Sequence, residues 1–318
     1  MRILNSPFTI FFLLGTLLAA APLLLAQEEL LPARIEAERE NLFPEGIEFD
    51  PTSGRFLLSS LAEGDIFVVE DDGTTTRLIE DDDLLASTGL EVDVLTNRLL
   101  VANADPGAFN PFNLKPGASL GIYDLASGQR RHLVDLRDLL PGRHFPNDVA
   151  VDGDGNAYVT DSFAAAVYRV TPDGEASVFA QDERFAGGLL TLNGIVYHPD
   201  GYLIVAQAGK GELYKIPLAS PERVTSVTLP EPVSGADGLV LHPDGSLIVV
   251  SGSLSTVFRL RSADDWDSAS IEGRVKTDEP ATTAAVRDDA VYVLYSRMRA
   301  MNFGQTVTSF PIVRVDFE

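Results

Sequence analysis

The sequence contains no cysteine, one tryptophan, three methionines and four histidines in 318 residues. The missing cysteine excludes disulfides, zinc–thiolate sites, iron–sulfur clusters, thiol nucleophiles and haem attached through cysteine. Basic residues are scarce as well. Lys and Arg total 24 against 47 Asp and Glu, a formal net charge of −23. A surface this acidic repels phosphate backbones and anionic headgroups, so nucleic acid is excluded as a partner. Most of that charge serves solubility. The chain also lacks an EF-hand loop, a P-loop, a GxSxG elbow and an HExxH helix, so the chemistries those motifs carry have no support.

One long hydrophobic run is present. Phe8–Ala26 (FTIFFLLGTLLAAAPLLLA) carries no charge, and Arg2 is the only basic residue before it. Residues 1–26 read as a secretory signal cleaved after Ala26, with Leu24 standing where a small residue is expected. The alternative is an uncleaved N-terminal anchor, since roughly 20 apolar residues cross a bilayer. Either way the rest of the chain is expected outside the cytosol, secreted or periplasmic, and membrane contact is expected only if the segment stays. The roughly 290 residues that remain are enough to bury a core without disulfides.

The rest is a repeat. PEGIEFDPTSGRFLLSS from Pro44, TGLEVDVLTNRLLVAN from Thr88 and PNDVAVDGDGNAYVTDS from Pro146 are followed by LNGIVYHPDGYLIVAQ from Leu192, ADGLVLHPDGSLIVVS from Ala236 and a degenerate TTAAVRDDAVYVLYS from Thr282. Each copy is an alternating apolar run, a Gly/Asp/Asn turn and a second apolar run, hence a hairpin. A third strand follows in most copies, for example DIFVVEDDG from Asp65 and AVYRVTPDG from Ala166, and a short fourth fits the remaining gaps. Six positions correspond: Glu45, Thr88, Asn147, Asn193, Asp237 and Thr283, at spacings of 43, 59, 46, 44 and 46 residues. Four strands per unit at this period predict an all-β, six-bladed β-propeller over residues 27–318. The long spacing contains Ala104–Ser119 (ADPGAFNPFNLKPGAS), a Pro/Gly/Asn-rich loop insertion. A ring must close or leave two bare sheet edges. Ala33–Glu38 and Phe310–Phe317 are both strand-like, so the N-terminal strand is expected to join the last blade.

In a propeller the first strand of each blade lines the central channel, so the six positions converge. Glu45, Asn147, Asn193 and Asp237 offer oxygen atoms to a common point. A hard cation such as Ca²⁺, which takes 6–8 oxygen ligands at roughly 2.3–2.6 Å, suits that set. No His or Cys falls at these positions, which argues against zinc or copper. Asn and Asp also favour turns for local reasons, which is the competing explanation for each residue taken singly. Thr88 and Thr283 read as pocket wall. His144, just before Asn147 in RHFPND, is either structural or an acid–base group at the same mouth. His198 and His242 lie in HPDG turns, His132 in an outer strand, and Glu80–Asp83 (EDDD) reads as a solvated loop.

These phrases resemble the calcium-dependent phosphotriesterase superfamily, which includes the SMP-30/gluconolactonase group, paraoxonases and diisopropylfluorophosphatase. The resemblance covers nearly all of the chain after Leu42 and rests on LFPEGIEFDP, NDVAVDGDGNAYVTDS, LNGIVYHPDGYLIVAQ, GADGLVLHPDG and AVYVLYSRM. It implies a six-bladed propeller with Ca²⁺ at the channel mouth, held by Glu45, Asn147, Asn193 and Asp237, with Asp148 just behind them. It also implies a hydrolase of esters, lactones or phosphotriesters acting on a small molecule, with Asp237 as nucleophile or base. The repeat phrases are similar to NHL-type propellers too, which mainly bind partners, so a non-catalytic binding propeller with a structural calcium is the second reading. A strictosidine-synthase-like enzyme on the same scaffold is a third, and no well-placed extra Glu supports it.

Overall fold

The computed structural model describes residues 31–113 and 115–317. The signal or anchor segment lies outside the described residues. The compact unit runs Pro32–Glu318. Among the described residues no helix is long and apolar enough to cross a membrane.

Six four-stranded antiparallel sheets stand around one axis. Their inner strands are Ile47–Asp50, Ala86–Asp93, Pro146–Val151, Leu192–His198, Ala236–Leu241 and Ala284–Arg287, which define blades 1 to 6. Each blade is a meander, as the hairpin phrases predict. The HPDG and TPDG segments are the turns between first and second or third and fourth strands, where Gly201, Gly245 and Gly174 donate their N–H groups to the carbonyls of His198, His242 and Thr171 at 2.8–2.9 Å. In the Glu80–Asp83 run, Asp81 and Asp83 both pair with Arg130, at 3.0 and 2.6 Å.

Closure follows the expected route. In blade 6 the order outward is Ala284–Arg287, Ala290–Leu294, Ser309–Val315 and finally Arg34–Glu38. Arg34 pairs with Val313 and Glu38 with Ser309, antiparallel. The edge left by the C-terminal strand is therefore covered by the N-terminal one.

The core is divided between the blades, because a sheet with two apolar faces must bury both. Six apolar clusters each fill one inter-blade space, from Leu57 and Leu99 between blades 1 and 2 to Ile248 and Val291 between blades 5 and 6. Phe56 and Phe67 of blade 1 meet Tyr292 and Phe310 of blade 6 in the cluster that completes the circle. Phe56 and Tyr292 lie with ring centroids 5.1 Å apart. At roughly 25 cal/mol per Å² of apolar surface, these faces supply most of the stabilisation.

Two excursions leave the regular blades. The Ala104–Ser119 insertion of blade 2 contains a 3-10 turn at Pro106–Phe109, with Asp105 accepting the Gly107 N–H at 2.6 Å as its cap. Blade 6 carries a short helix, Met298–Asn302, between its second and third strands.

Candidate functional site

Five of the six corresponding positions, all but Thr283, line one chamber. Hydrogen bonds step from blade to blade at their register: Thr88 Oγ1 to the Pro146 carbonyl at 3.0 Å, Ser162 Oγ to the Leu192 carbonyl at 2.5 Å and Thr160 Oγ1 to the Asn193 carbonyl at 2.6 Å. Thr282 Oγ1 closes the circle on the Glu45 carbonyl at 2.8 Å. Four of the six positions are followed by glycine: Gly46, Gly89, Gly194 and Gly238. A Cβ on Gly46 would run into the Thr88 carbonyl, one on Gly194 into the Asp237 carbonyl and one on Gly238 into Thr283 Oγ1. Glycine is needed here because inner strands approach backbone to backbone, a constraint on space rather than on φ.

Strand pairing also breaks at this register. The ladders skip between Ser87 and Leu90, Pro146 and Val149, Leu192 and Ile195, and Ala236 and Leu239. Such bulges re-aim side chains. Here they occur at Thr88, Asn147, Asn193 and Asp237 and turn those residues into the channel mouth.

The result is a chamber of about 390 Å³ whose wall contains Glu45, Thr88, Asn147, Asn193 and Asp237 together. Glu45, Asn147 and Asn193 are buried. No Lys, Arg or His lines it. Burial drives the Glu45 carboxyl well above its ordinary range, with repulsion from Asp237 and Asp148 adding to the effect. Burial also pushes Asp237 up to about 7; a hydrogen bond from Asn193 opposes the shift and Asp148 reinforces it. Two carboxyl groups share one chamber with no basic side chain in its lining.

That space fits a cation by an independent criterion. Asn147 Nδ2 donates to Ser162 Oγ at 3.0 Å, while its Oδ1 is buried with no hydrogen-bond partner. A buried acceptor left bare costs roughly 1–3 kcal/mol unless something else satisfies it. Among the described residues no three His, Asp or Glu side chains cluster as a metal site. The donor set is instead two carboxylates and two carboxamides, all hard oxygen ligands of the kind Ca²⁺ takes.

The other residues singled out from the sequence divide. Thr88 lines the chamber, its hydroxyl committed to the Ala102 and Pro146 carbonyls. Asp148 and Thr283 line instead the channel beneath, a separate space of about 360 Å³. Asp148 braces blade 3 to blade 4 there by accepting the Ile195 N–H at 3.1 Å, and burial pushes it up to about 7. Of the two readings of His144, the geometry favours the structural one. It is 1% exposed, and both ring nitrogens are engaged, Nδ1 with Asp161 Oδ2 at 2.7 Å and Nε2 with the Leu140 carbonyl at 3.0 Å. Asp161 Oδ1 in turn accepts the Phe145 N–H at 3.0 Å. His144 thus fixes the turn that delivers Asn147 and has no nitrogen left for a substrate.

Sequence reasoning missed two groups. Glu48 and Glu91 line the lower channel, three residues past Glu45 and Thr88. Burial, then the charge of Asp148, pushes Glu48 up to about 8; Glu91 is raised well above its ordinary value by burial and by Glu48. The chamber's apolar wall was missed too. Leu61, Phe109, Phe145 and Leu190 come from segments between strands, and Met298 and Met301 from the short helix of blade 6.

The comparisons with known proteins agree with this architecture. In solved structures the fold matches the major allergen Mala s 1 of Malassezia sympodialis at a TM-score of 0.76, with 22% identity over 90% of this chain and 96% of that one. It matches a gluconolactonase of Xanthomonas campestris at 0.63, with 19% identity over 89% of each chain. A calcium-binding regucalcin of Agrobacterium tumefaciens matches at 0.61, with 18% identity over 90% of this chain and 95% of that one. No curated protein matches the sequence significantly. The model of the SMP-30/gluconolactonase/LRE-like region matches residues 43–272, and the chain belongs to that family.

Proposed function

We infer that this protein is an exported, calcium-dependent hydrolase of the lactonase type, acting on a lactone or related ester at the channel mouth. Phosphotriesters are the further substrate class open to the same chemistry. The observation that carries the reading is the unpartnered Asn147 Oδ1 beside Glu45, Asn193 and Asp237 in a chamber free of basic side chains. Glu45, Asn147, Asn193 and Asp237 would hold the ion. Calcium, when bound, supplies positive charge against the substrate oxygen that becomes an oxyanion.

The chain's own residues do the rest. The Asp237 carboxylate takes a proton from the attacking water, whose oxygen bonds to the acyl carbon. The acyl C–O bond then breaks, and Asp237 returns the proton to the departing alkoxide. Alternatively the Asp237 carboxylate attacks the acyl carbon directly, the alkoxide departs and takes a proton from water, and the hydroxide so formed cleaves the acyl–Asp237 bond to release the acid. The apolar wall excludes bulk water from the chamber and strengthens each electrostatic contact within it.

The test is a panel of lactones, aryl esters and phosphotriesters with calcium and with chelator. Asp237→Asn is expected to lower turnover by roughly 10²–10⁴-fold, the range for loss of a proton-transfer group. Unchanged turnover in that variant overturns the assignment. Calcium-dependent stabilisation without turnover of any substrate favours the binding propeller instead. N-terminal sequencing of exported protein decides between cleavage after Ala26 and a retained anchor.

A further inference from the structure

The metal chamber is one end of a longer cavity. A second lobe of about 810 Å³ shares Leu190, Asn193, Asp237 and Met298 with it and runs outward over blades 5 and 6. Its floor is Ala208, Gly235 and Ala281, and its outer wall is the excursion of blade 6, through Met298, Ala300 and Phe303. Across the mouth, Phe109 of the blade 2 insertion packs edge-on against Phe145 and Phe163, with centroids 5.2 and 5.3 Å away. Phe303 is 69% exposed at the lip, with the Arg299 guanidinium 5.9 Å over its ring.

The polar groups deep in these walls are largely committed to one another. Thr88 and Thr282 donate to the Pro146 and Glu45 carbonyls. Ser253 Oγ donates to the Ser234 carbonyl, and Asn147 Nδ2 to Ser162. Arg297 is held by Glu279 and the Ser309 carbonyl. Arg299 and Gln305 line the lobe and Asn302 the chamber, all three as exposed residues. Hydroxyls of a polyhydroxylated ring set against Ala208, Gly235, Ala281 and Met298 would find no partner there, and each such group costs more than a hydrophobic contact returns.

We propose that the second lobe takes an apolar acyl or alkyl substituent, so that hydrophobic lactones and esters are preferred over polyhydroxylated sugar lactones, with Met298 and Phe303 setting that preference. The proposal rests on the hydrolase reading for turnover but not for binding. Met is suited to such a wall, because its unbranched side chain adapts to chains of different length.

The experiment uses five-membered lactones with unbranched alkyl substituents of increasing length, compared with glucono-lactone, on the calcium-loaded full protein. The value of kcat/KM is expected to rise roughly 3- to 4-fold per added methylene until the lobe is filled, the factor that corresponds to about 0.8 kcal/mol per buried CH₂. Met298→Ser and Phe303→Ser are each expected to cut kcat/KM for the longest chain more than for the unsubstituted ring. A flat series, or glucono-lactone as the best substrate, overturns the proposal. The matched lactams, which resist hydrolysis, are titrated in parallel by calorimetry. Affinity that climbs with chain length while no lactone is turned over sinks the hydrolase reading and leaves this one standing. Chain-independent lactam affinity overturns the proposal whatever the turnover.

Discussion

Ser162 Oγ lies 3.0 Å from Asn147 Nδ2 and donates to the Leu192 carbonyl at 2.5 Å, so a single hydroxyl orients the amide of blade 3 and ties it to blade 4. Asn147 Oδ1 then has only one direction left, into the chamber. Groups that orient a metal ligand typically contribute 10- to 100-fold in affinity. Ser162→Ala is therefore expected to weaken calcium binding by about that factor, because the amide becomes free to rotate. Calorimetric titration of the purified protein measures it; an affinity equal to that of the natural protein would mean Asn147 is not a ligand.

The lower channel supplies a pH dependence. Glu48 is raised from its usual range to about 8, so the folded protein holds a proton there that the unfolded chain releases. Stability from this group is present below the unfolded value and declines as pH rises through 8. Glu48→Gln removes the ionisation and is expected to flatten the fall in melting temperature between pH 5 and 8. At pH 8 the variant should melt at a higher temperature than the natural protein. Parallel thermal denaturation curves across that range decide the matter.

His144 titrates with the same overall trend for a different reason. Burial is the largest single effect on its pKa and lowers it, but the hydrogen bond and charge of Asp161 together with the Leu140 carbonyl outweigh burial and raise it above the ordinary 6.5. Here too the stabilisation is complete below the unfolded value and is lost as pH climbs past the folded one. His144→Ala leaves Asp161 short of a charged partner in a buried position and is expected to cost roughly 3 kcal/mol. An imidazole resonance titrating at or below 6.5 would contradict the arrangement.

The glycine beside each site position makes a steric prediction. Gly238→Ala forces a methyl group into Thr283, and Gly194→Ala forces one into the Asp237 backbone. Overpacking of this kind costs about 1–3 kcal/mol. Gly54→Ala is the control for space, since no atom lies within 4 Å of a Cβ there, although its positive φ of 72 carries a small strain of its own. Urea denaturation of the three variants should rank Gly54→Ala as the mildest.

The fold was legible because the six repeat phrases encode the inner hairpins directly, and the alternation in Ala33–Glu38 already marked the closing strand. Glu45, Asn147, Asn193 and Asp237 could be found because they share a register. Glu48 and Glu91 could not. In an alternating strand such as Ile47–Asp50 a charged residue between apolar ones looks solvent-facing, and only ring closure turns that side toward an internal channel. The glycines after four of the six positions were visible, yet their purpose depends on how near the neighbouring blade comes. The helix Met298–Asn302 spans five residues, too few for a helical period to emerge. Its two Met side chains and the Phe303 that follows it therefore had no register to betray them.

Blade 6 has a consequence for biogenesis. Its outermost strand, Arg34–Glu38, leaves the ribosome long before its partner Ser309–Val315. That segment must wait, unpaired, through the synthesis of five intervening blades. Such a long-range pairing is slow to form, and the incomplete disc meanwhile exposes sticky edges. The final assembly step is thus a clasp between the earliest and latest parts of the domain, so truncation at either end should unravel the whole disc rather than trim it.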